Sequence, residues 1–161
     1  MAEELAQAVE SESSRFEVAR DALERLLELM GVEVEIEGEE QEEQIDLRVS
    51  GDDATSLVGK KGRTLDALQF LINKIVSRRV EDHKLVVLDA NGYRQRREAD
   101  LLQLAERLGD KALDEGKIIR LNPMSARDRR IIHMALRDVA GLSTRSEGDG
   151  EERRLLIVPE R

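Results

Sequence analysis

Apolar residues recur at helical spacing in four segments of the chain. These segments cover residues 16–30, 63–80, 93–113 and 124–139. Residues at i, i+3, i+4 and i+7 lie on one side of an α-helix, so each segment is predicted to form a helix with one buried face. Gly31 is expected to end the first helix, and Asn91 is a predicted N-cap for the third.

The faces of two of these helices follow from the turn of about 100° per residue. The predicted buried face of the second helix consists of Leu65, Leu68, Ile72, Ile75 and Val76. The predicted buried face of the fourth consists of Ile131, Ile132, Ala135, Leu136 and Val139. Each helix therefore has an opposite or adjacent side that is left for polar residues.

Alternating apolar and polar residues predict short strands between the helices. The predicted strands cover residues 32–36, 45–49, 85–88, 117–121, 142–147 and 153–158. The first two are separated by a Gly/Glu turn and are expected to form a hairpin, and the last two are expected to form another around a Gly-Asp-Gly turn. A short helix is predicted at residues 54–58. The order of elements indicates an α+β protein.

Length and composition set the class of protein. A chain of 161 residues accommodates one ordinary domain or two small ones. With no cysteine, it has no disulfide scaffold, thiolate metal site or thiol nucleophile. Because no apolar run approaches twenty residues and no signal-peptide pattern is present, we expect a soluble, cytoplasmic protein without membrane insertion.

The formal net charge of −9 is unevenly distributed. Residues 1–50 carry 16 acidic and 4 basic side chains, a net charge of −12, whereas residues 54–137 carry 18 basic and 11 acidic side chains, a net charge of +7. Residues 1–14 are expected to be a flexible acidic segment. Because the local charge sets the field that a ligand meets, residues 54–137 can attract a polyanion despite the acidic total.

The tetrapeptide Gly59-Lys60-Lys61-Gly62 precedes the second predicted helix. Glycines permit a sharp turn and a close approach of the backbone to a ligand, and the N-terminus of a helix favours an anion. We therefore predict a phosphate clamp for a nucleic-acid backbone. The same four residues also suit an ordinary helix corner, and the spacing differs from that of a nucleotide P-loop.

Three basic residues extend this prediction along the second helix. The side opposite the predicted buried face carries Arg63, a predicted nucleic-acid contact, and Lys74 and Arg78, which are possible additional phosphate contacts. Phe70 lies on the same side, where it could stack on a base or pack against another domain, and we favour packing.

A second group of basic residues follows in the C-terminal half. Arg129 and His133 are four residues apart on the fourth predicted helix, so both could grip one phosphate. A lone histidine on a helix more often makes a structural hydrogen bond, and that alternative stays open. Other predicted nucleic-acid contacts are Arg120, Arg130 and Arg137, with possible additional contacts at Arg94 and Arg97.

The motifs and their order resemble a known family. The element order over residues 16–89, with the Gly-x-x-Gly loop between two helices, resembles a type-II KH domain (α-β-β-α-α-β). Arg120-Leu-Asn-Pro-Met124, Arg129-Arg-Ile-Ile-His133 and Thr144-Arg-Ser-Glu-Gly148 resemble a small α/β R-three-H domain. With Asp89-x-x-x-Tyr93-Arg94-x-x-Arg97 between them, the chain resembles the Jag family, the SpoIIIJ-associated RNA-binding proteins of bacteria.

The resemblance implies a KH domain at residues 15–90 and an R-three-H domain at residues 91–161 that act in tandem on RNA. It also implies a place near a membrane protein insertase and a link to cell elongation and division. Many members carry an additional N-terminal Jag domain. This chain has a short acidic segment at that place, so the resemblance does not by itself imply functions that depend on that domain, such as membrane-side or partner recruitment.

We therefore expect a single-stranded RNA-binding protein with no catalytic residues, metal or cofactor. Phosphate contacts alone do not distinguish RNA from single-stranded DNA. Pairing with a second copy or with another KH protein is compatible with this function. A protein-interaction adaptor without essential RNA contact is the main alternative, whereas an enzyme is disfavoured because the residues show no cluster suited to catalysis.

Overall fold

The computed structural model describes residues 14–81 and 84–160. The chain divides into two compact units, the first ending at Tyr93 and the second beginning at Arg94. The predicted flexible segment, residues 1–14, lies outside the described residues except for Ser14.

The first unit contains three strands and two long helices. They are α1 (Arg15–Met30), β1 (Glu35–Glu40), β2 (Gln44–Ser50), α2 (Arg63–Arg79) and β3 (Leu85–Ala90). A capping box starts α1: the Glu17 N–H donates to Ser14 Oγ (3.2 Å), and the Ser14 N–H donates to Glu17 Oε2 (2.9 Å). Gly31, with a left-handed backbone, ends α1 as predicted.

The sheet of this unit has the order β1-β2-β3. Strand β1 is antiparallel to β2, and β2 is parallel to β3 because α2 provides the crossover between them. Alternate residues of β2 and β3 point into a core closed by α1 and α2. The buried residues of α2 are Leu65, Leu68, Ile72 and Val76, with Ile75 packed at the margin, so the predicted buried face is confirmed.

Two predicted elements of the first unit are wrong in detail. The first strand was expected at residues 32–36 but lies at Glu35–Glu40. Val32 and Val34 pack against the core before the strand begins, and the strand itself is almost wholly exposed at the sheet edge. Alternation of apolar and polar residues indicates a strand with one buried face, so it does not predict an edge strand whose residues are almost all exposed. The predicted short helix is a 3₁₀ turn at Asp53–Thr55.

Two side-chain amides hold α2 against the free edge of β3. Asn73 Nδ2 donates to the Val86 carbonyl (2.8 Å), and Asn73 Oδ1 accepts from the Val86 N–H (2.9 Å). One turn earlier, Gln69 Oε1 accepts from the Leu88 N–H (2.9 Å). These bonds satisfy backbone groups at the sheet edge and fix the position of α2, and thereby of the loop that precedes it.

The second unit packs two helices against an antiparallel sheet of order β4-β6-β5. The elements are α3 (Tyr93–Glu115), β4 (Ile119–Arg120), α4 (Ala126–Leu136), β5 (Leu142–Glu147) and β6 (Arg154–Pro159). Its core consists of Leu101, Ala105, Ala112, Leu121, Ile132, Leu136, Leu142, Leu155 and Ile157. The closing hairpin is confirmed, with Leu142 opposite Pro159 and Glu147 opposite Arg154.

Helix α4 is shorter than the sequence indicates. It begins after Ser125, whose Oγ accepts from the Asp128 N–H (3.1 Å), and it ends at Leu136. Ala135 and Val139 are exposed, so their predicted burial is wrong. Asp128 is buried instead, with a relative exposure of 4%. Apolar periodicity missed it because the carboxylate is paired with Arg97, whose Nη2 lies 2.7 Å from Asp128 Oδ2.

The start of α3 also differs from the prediction. The helix begins at Tyr93, so Asn91 lies one residue before the N-cap position. Asn91 adopts a positive φ of 49°, and its side chain bonds Gly51 twice: Oδ1 accepts from the N–H (3.3 Å) and Nδ2 donates to the carbonyl (2.9 Å). Across both described stretches, no helix combines the length and apolar character needed to cross a bilayer.

Candidate nucleic-acid interface

The GKKG loop, Gly59 to Gly62, folds the backbone back on itself immediately before α2. Gly59, Lys61 and Gly62 have φ values of 66°, 55° and 82°. Hydrogen bonds from the Gly62 N–H to the Gly59 carbonyl (3.5 Å) and from the Leu65 N–H to the Val58 carbonyl (3.4 Å) close the turn. Both lysines are exposed at its tip.

A side chain in place of either glycine of the loop would clash with a neighbouring side chain. A Cβ at Gly59 would lie 2.8 Å from the Thr64 Cβ and collide with the Thr64 hydroxyl. A Cβ at Gly62 would lie 2.8 Å from Tyr93 Cε1. Positive φ is itself unfavourable for residues with a Cβ. The Tyr93 ring therefore packs directly on the loop, a role that the sequence analysis did not assign to it.

The first turn of α2 is suited to an anion. Gly62 occupies the N-cap position, and the loop itself uses two N–H groups of the first turn: the Arg63 N–H donates to the Lys60 carbonyl and the Leu65 N–H to the Val58 carbonyl. The positive end of the helix dipole favours negative charge, and Lys60 and Lys61 add two exposed positive charges beside it. The loop thus combines a helix N-terminus and cationic side chains at one place.

The basic stripe, Arg63, Lys74 and Arg78, lies on the exposed side of α2, as predicted. Phe70 lies on this side and is 60% exposed, with Lys74 Nζ 5.5 Å from the ring centroid. A cation at this distance over an aromatic face is favourable. Phe70 is thus outside the core of its own unit, which leaves both predicted roles, base stacking and packing against another domain, open.

The Arg–His face, Arg129 and His133, lies on α4 beside strand β5. Arg129 Nη1 donates to Ser146 Oγ (3.1 Å), and His133 Nδ1 lies 2.5 Å from Thr144 Oγ1. The hydroxyls belong to residues i and i+2 of β5, which project from the same face of a strand. The structure thus brings together the predicted Arg-x-x-x-His pair and two hydroxyls of the Thr144-to-Gly148 motif, whose individual roles the sequence analysis did not recognise.

The other basic residues predicted on this unit are more dispersed. Arg130 is exposed on α4, and Arg120 on β4 lies 3.9 Å from the Glu147 carboxylate. Arg137 lines a cleft of about 450 Å³ with His133, Thr144 and Glu160. A hydrogen bond to Asp138, reinforced by the opposite charges, raises the pKa of the Arg137 guanidinium and lowers the pKa of the Asp138 carboxyl.

The two additional arginines predicted near the start of α3 differ in environment. Arg94 is half-buried. Arg97 donates to Asp128 Oδ2 through both Nε (3.2 Å) and Nη2 (2.7 Å), which gives its guanidinium a structural role in the second unit. Contact of either arginine with a nucleic acid stays a prediction.

The fold and motifs define a KH domain followed by an R-three-H domain. Residues 17–88 match the family described as "KhpA/KhpB, KH domain", and residues 99–159 match the R-three-H domain family. The predicted fold class is thereby confirmed.

Similar proteins identify the family more closely. The RNA-binding protein KhpB of Bacillus subtilis (strain 168) is 35% identical over 141 residues, 86% of this chain and 68% of that protein. The protein of the same name from Clostridium symbiosum is 37% identical over 128 residues, 80% of this chain and 58% of that protein. The chain therefore belongs to the KhpB family, also known as the Jag family, and the predicted resemblance is confirmed.

The match to some relatives leaves much of their length uncovered. The RNA-binding protein KhpB of Streptococcus pneumoniae serotype 2 (strain D39) is 27% identical over 161 residues, 98% of this chain but 49% of that protein. The chain thus spans about half to two thirds of the length of these relatives.

Proposed function

We propose that this protein binds single-stranded RNA through two phosphate-binding surfaces. The first consists of the GKKG loop and the basic stripe, and the second is the Arg–His face. The observation that carries the proposal is the GKKG loop, which has two exposed lysines at the N-terminus of α2. RNA as the ligand is supported by the KhpB relatives, which are named RNA-binding proteins.

At the GKKG loop, the RNA backbone lies across the turn. The positive end of the α2 dipole attracts a phosphate, while Lys60 and Lys61 neutralise its charge. A KH domain holds about four nucleotides in this way. The basic stripe then extends the path of the phosphates along α2.

At the Arg–His face, a second stretch of backbone binds to α4. The planar guanidinium of Arg129 and an imidazole N–H of His133 can donate to the same phosphate, because residues four apart are neighbours on a helix surface. The basic residues Arg120, Arg130 and Arg137 raise the local positive potential around this face. Arg94 and Arg97 are secondary candidates for phosphate contact.

Phosphate contacts dominate the proposed affinity because aromatic residues are only 2% of the chain. Binding should therefore depend strongly on salt, with the logarithm of the affinity falling by about 0.7 per neutralised phosphate for each logarithmic unit of salt. It should also discriminate weakly between sequences, since little base stacking is available. Parallel titrations of RNA and DNA oligonucleotides of one sequence decide between the two nucleic acids.

Charge reversal of the loop tests the first surface. The variant Lys60→Asp/Lys61→Asp should bind a 12-nucleotide RNA at least about tenfold more weakly, because it loses two charge-assisted contacts and adds repulsion. The control Lys111→Asp/Lys117→Asp changes the net charge equally at exposed positions outside both surfaces. Equal affinity of the loop variant and the wild type in low-salt fluorescence anisotropy would exclude the loop as a clamp.

An adaptor function is the second candidate, and it rests on exposed apolar residues of α2. Phe70 and its neighbour Leu71 are 60% and 45% exposed. We propose that a second copy of the chain or another KH protein covers them, because adjacent exposed apolar side chains favour an interface. Analytical ultracentrifugation of wild type and Phe70→Ser with and without ribonuclease distinguishes the candidates: association that survives ribonuclease and is lost in the variant supports the adaptor.

A cytoplasmic location and a role in cell elongation or division are the cellular part of the proposal, and they rest on the family resemblance. Cell fractionation tests the location. Complementation of a deletion strain with wild type and with Lys60→Asp/Lys61→Asp tests whether a cell-length phenotype requires the loop. Full rescue by the variant would assign the cellular role to protein contacts rather than to RNA.

A further inference from the structure

The two hydroxyls of β5 form the main polar contacts of the Arg–His face. Thr144 Oγ1 is hydrogen-bonded to His133 Nδ1, and Ser146 Oγ accepts from Arg129 Nη1. Residues i and i+2 of a strand are about 6.6 Å apart, and residues i and i+4 of a helix are about 6 Å apart along its axis. The spacing of the strand therefore matches the spacing of the helix, which allows one hydroxyl for each ligand-binding side chain.

The contact at His133 decides which ring nitrogen is available to a ligand. Nδ1 is occupied by Thr144 Oγ1, and no other described residue hydrogen-bonds to the ring. A hydroxyl can donate to a bare nitrogen, which leaves a neutral imidazole with its proton on Nε2. It can equally accept from a protonated Nδ1, either in the imidazolium form or in the neutral tautomer whose Nε2 is bare. When the hydroxyl donates to Nδ1, and in the imidazolium form, Nε2 carries a hydrogen that can be donated to a phosphate oxygen.

The contact at Arg129 has a similar consequence for the guanidinium. Nε is buried without a hydrogen-bond partner among the described residues, and Nη1 donates to Ser146. The bond to Ser146 therefore sets the orientation of the guanidinium plane within the described structure. Nη2 makes no hydrogen bond to any described residue and is left to donate to a ligand.

We propose that Thr144 and Ser146 are positioning residues for RNA binding at the Arg–His face. The hydrogen bond to Thr144 directs the Nε2 proton of His133 outward, and the hydrogen bond to Ser146 directs Nη2 of Arg129 outward. Both donors are therefore already oriented before a phosphate binds. This inference rests on the proposed function of that face. It explains why the hydroxyls occupy alternate positions on the strand next to α4.

Paired substitutions at Thr144 separate the hydroxyl from the shape of the side chain. Thr144→Val keeps the β-branched shape, which suits a strand, and removes the hydroxyl, whereas Thr144→Ser keeps the hydroxyl. Loss of one orienting hydrogen bond should lower RNA affinity about three- to tenfold in Thr144→Val. Thr144→Ser should bind within about twofold of wild type. Equal thermal midpoints of the three proteins show that the fold is unaltered.

A double-mutant cycle shows whether Thr144 acts through His133. In a His133→Gln background, Thr144→Val should have no further effect on affinity, because there is no imidazole left to orient. The corresponding cycle pairs Ser146→Ala with Arg129→Gln. An independent readout is the ¹⁵N NMR signal of His133 Nδ1 in the free protein. It should shift in Thr144→Val and stay unchanged in Thr144→Ser.

The outcomes distinguish this inference from the function on which it rests. If His133→Gln and Arg129→Gln bind RNA as well as wild type, the proposed function of the face is wrong and the inference fails with it. If these variants bind weakly while Thr144→Val binds normally, only the inference fails. An effect of Thr144→Val that persists undiminished in the His133→Gln background, or an unchanged Nδ1 signal, also overturns it.

Discussion

The contact between Gly62 and Tyr93 yields a quantitative prediction for the GKKG loop. In Gly62→Ala, the new methyl group would lie 2.8 Å from Tyr93 Cε1 and 3.2 Å from Tyr93 Oη. Carbon atoms pack best at about 3.5–4.0 Å, so the ring or the loop must move by about 0.7 Å. The backbone at φ 82° is also unfavourable for alanine.

Two free-energy terms make up the expected destabilisation. The left-handed backbone costs about 1–2 kcal/mol for alanine relative to glycine, and overpacking costs about 1–3 kcal/mol. Gly31→Ala is a matched control because Gly31 has a similar φ of 67° and a Cβ there would meet nothing within 4 Å. The control should lose only the stability that corresponds to the left-handed backbone. Gly62→Ala should therefore be less stable than Gly31→Ala by about 1–3 kcal/mol.

Tyrosine fluorescence measures this difference in the first unit specifically. Tyr93 is the only tyrosine of the chain, which contains no tryptophan. Urea unfolding followed by this signal reports on the packing of the ring beside the loop. With a slope of about 1–2 kcal/mol per molar urea, Gly62→Ala should unfold about 1 M earlier than Gly31→Ala.

Equal urea midpoints for the two variants would refute the reasoning, because the clash with Tyr93 would then cost nothing beyond backbone strain. A second readout is RNA binding without urea, which a displaced loop should weaken in Gly62→Ala. Gly31→Ala should bind normally, since Gly31 ends α1 outside both proposed surfaces.

Three further predictions concern stability and salt. Asn73→Ala should destabilise the first unit by about 2 kcal/mol, measured with the same fluorescence titration, because two backbone groups of β3 lose their partner. Asp128→Asn should destabilise the second unit by about 1–3 kcal/mol in thermal unfolding, because it leaves Arg97 with a neutral partner; an unchanged midpoint would show that the ion pair is dispensable. Lys60→Asp/Lys61→Asp should reduce the salt slope of RNA affinity by about 1.4, and an unchanged slope would contradict two phosphate contacts.

Most of the fold could be predicted from the helical spacing of apolar residues and from the positions of the glycines. In α2, the residues expected to be buried by angle are the ones that face the core, because helical spacing and burial are local properties of the chain. The prediction of strands and buried faces was weaker where the burial of a residue does not follow from the apolar pattern of its element. Strand β1 is an exposed edge rich in glutamate, and Ala135 has the right spacing for burial but lies on the open side of α4.

Contacts between polar residues that are far apart in the chain could not be predicted from the sequence. The bond of Asn73 to Val86 and the ion pair of Arg97 with Asp128 join residues 13 and 31 positions apart. Hydrogen bonds require a distance and an angle that only the packed chain provides, and the residues that form them carry no periodic signal. The same reason explains why the contacts of Thr144 and Ser146 with His133 and Arg129 were not predicted, although the motif that contains them was recognised.

The amino-acid sequence alone established the two-part α+β architecture, the family and the concentration of positive charge after residue 54. These properties are encoded in patterns along the chain: spacing of apolar residues, motif order and local charge. Tertiary structure alone decided that Tyr93 packs on Gly62 and that β5 supplies hydroxyls to Arg129 and His133. Such contacts depend on where folding places residues that are far apart in the chain, and they set the orientation of these side chains.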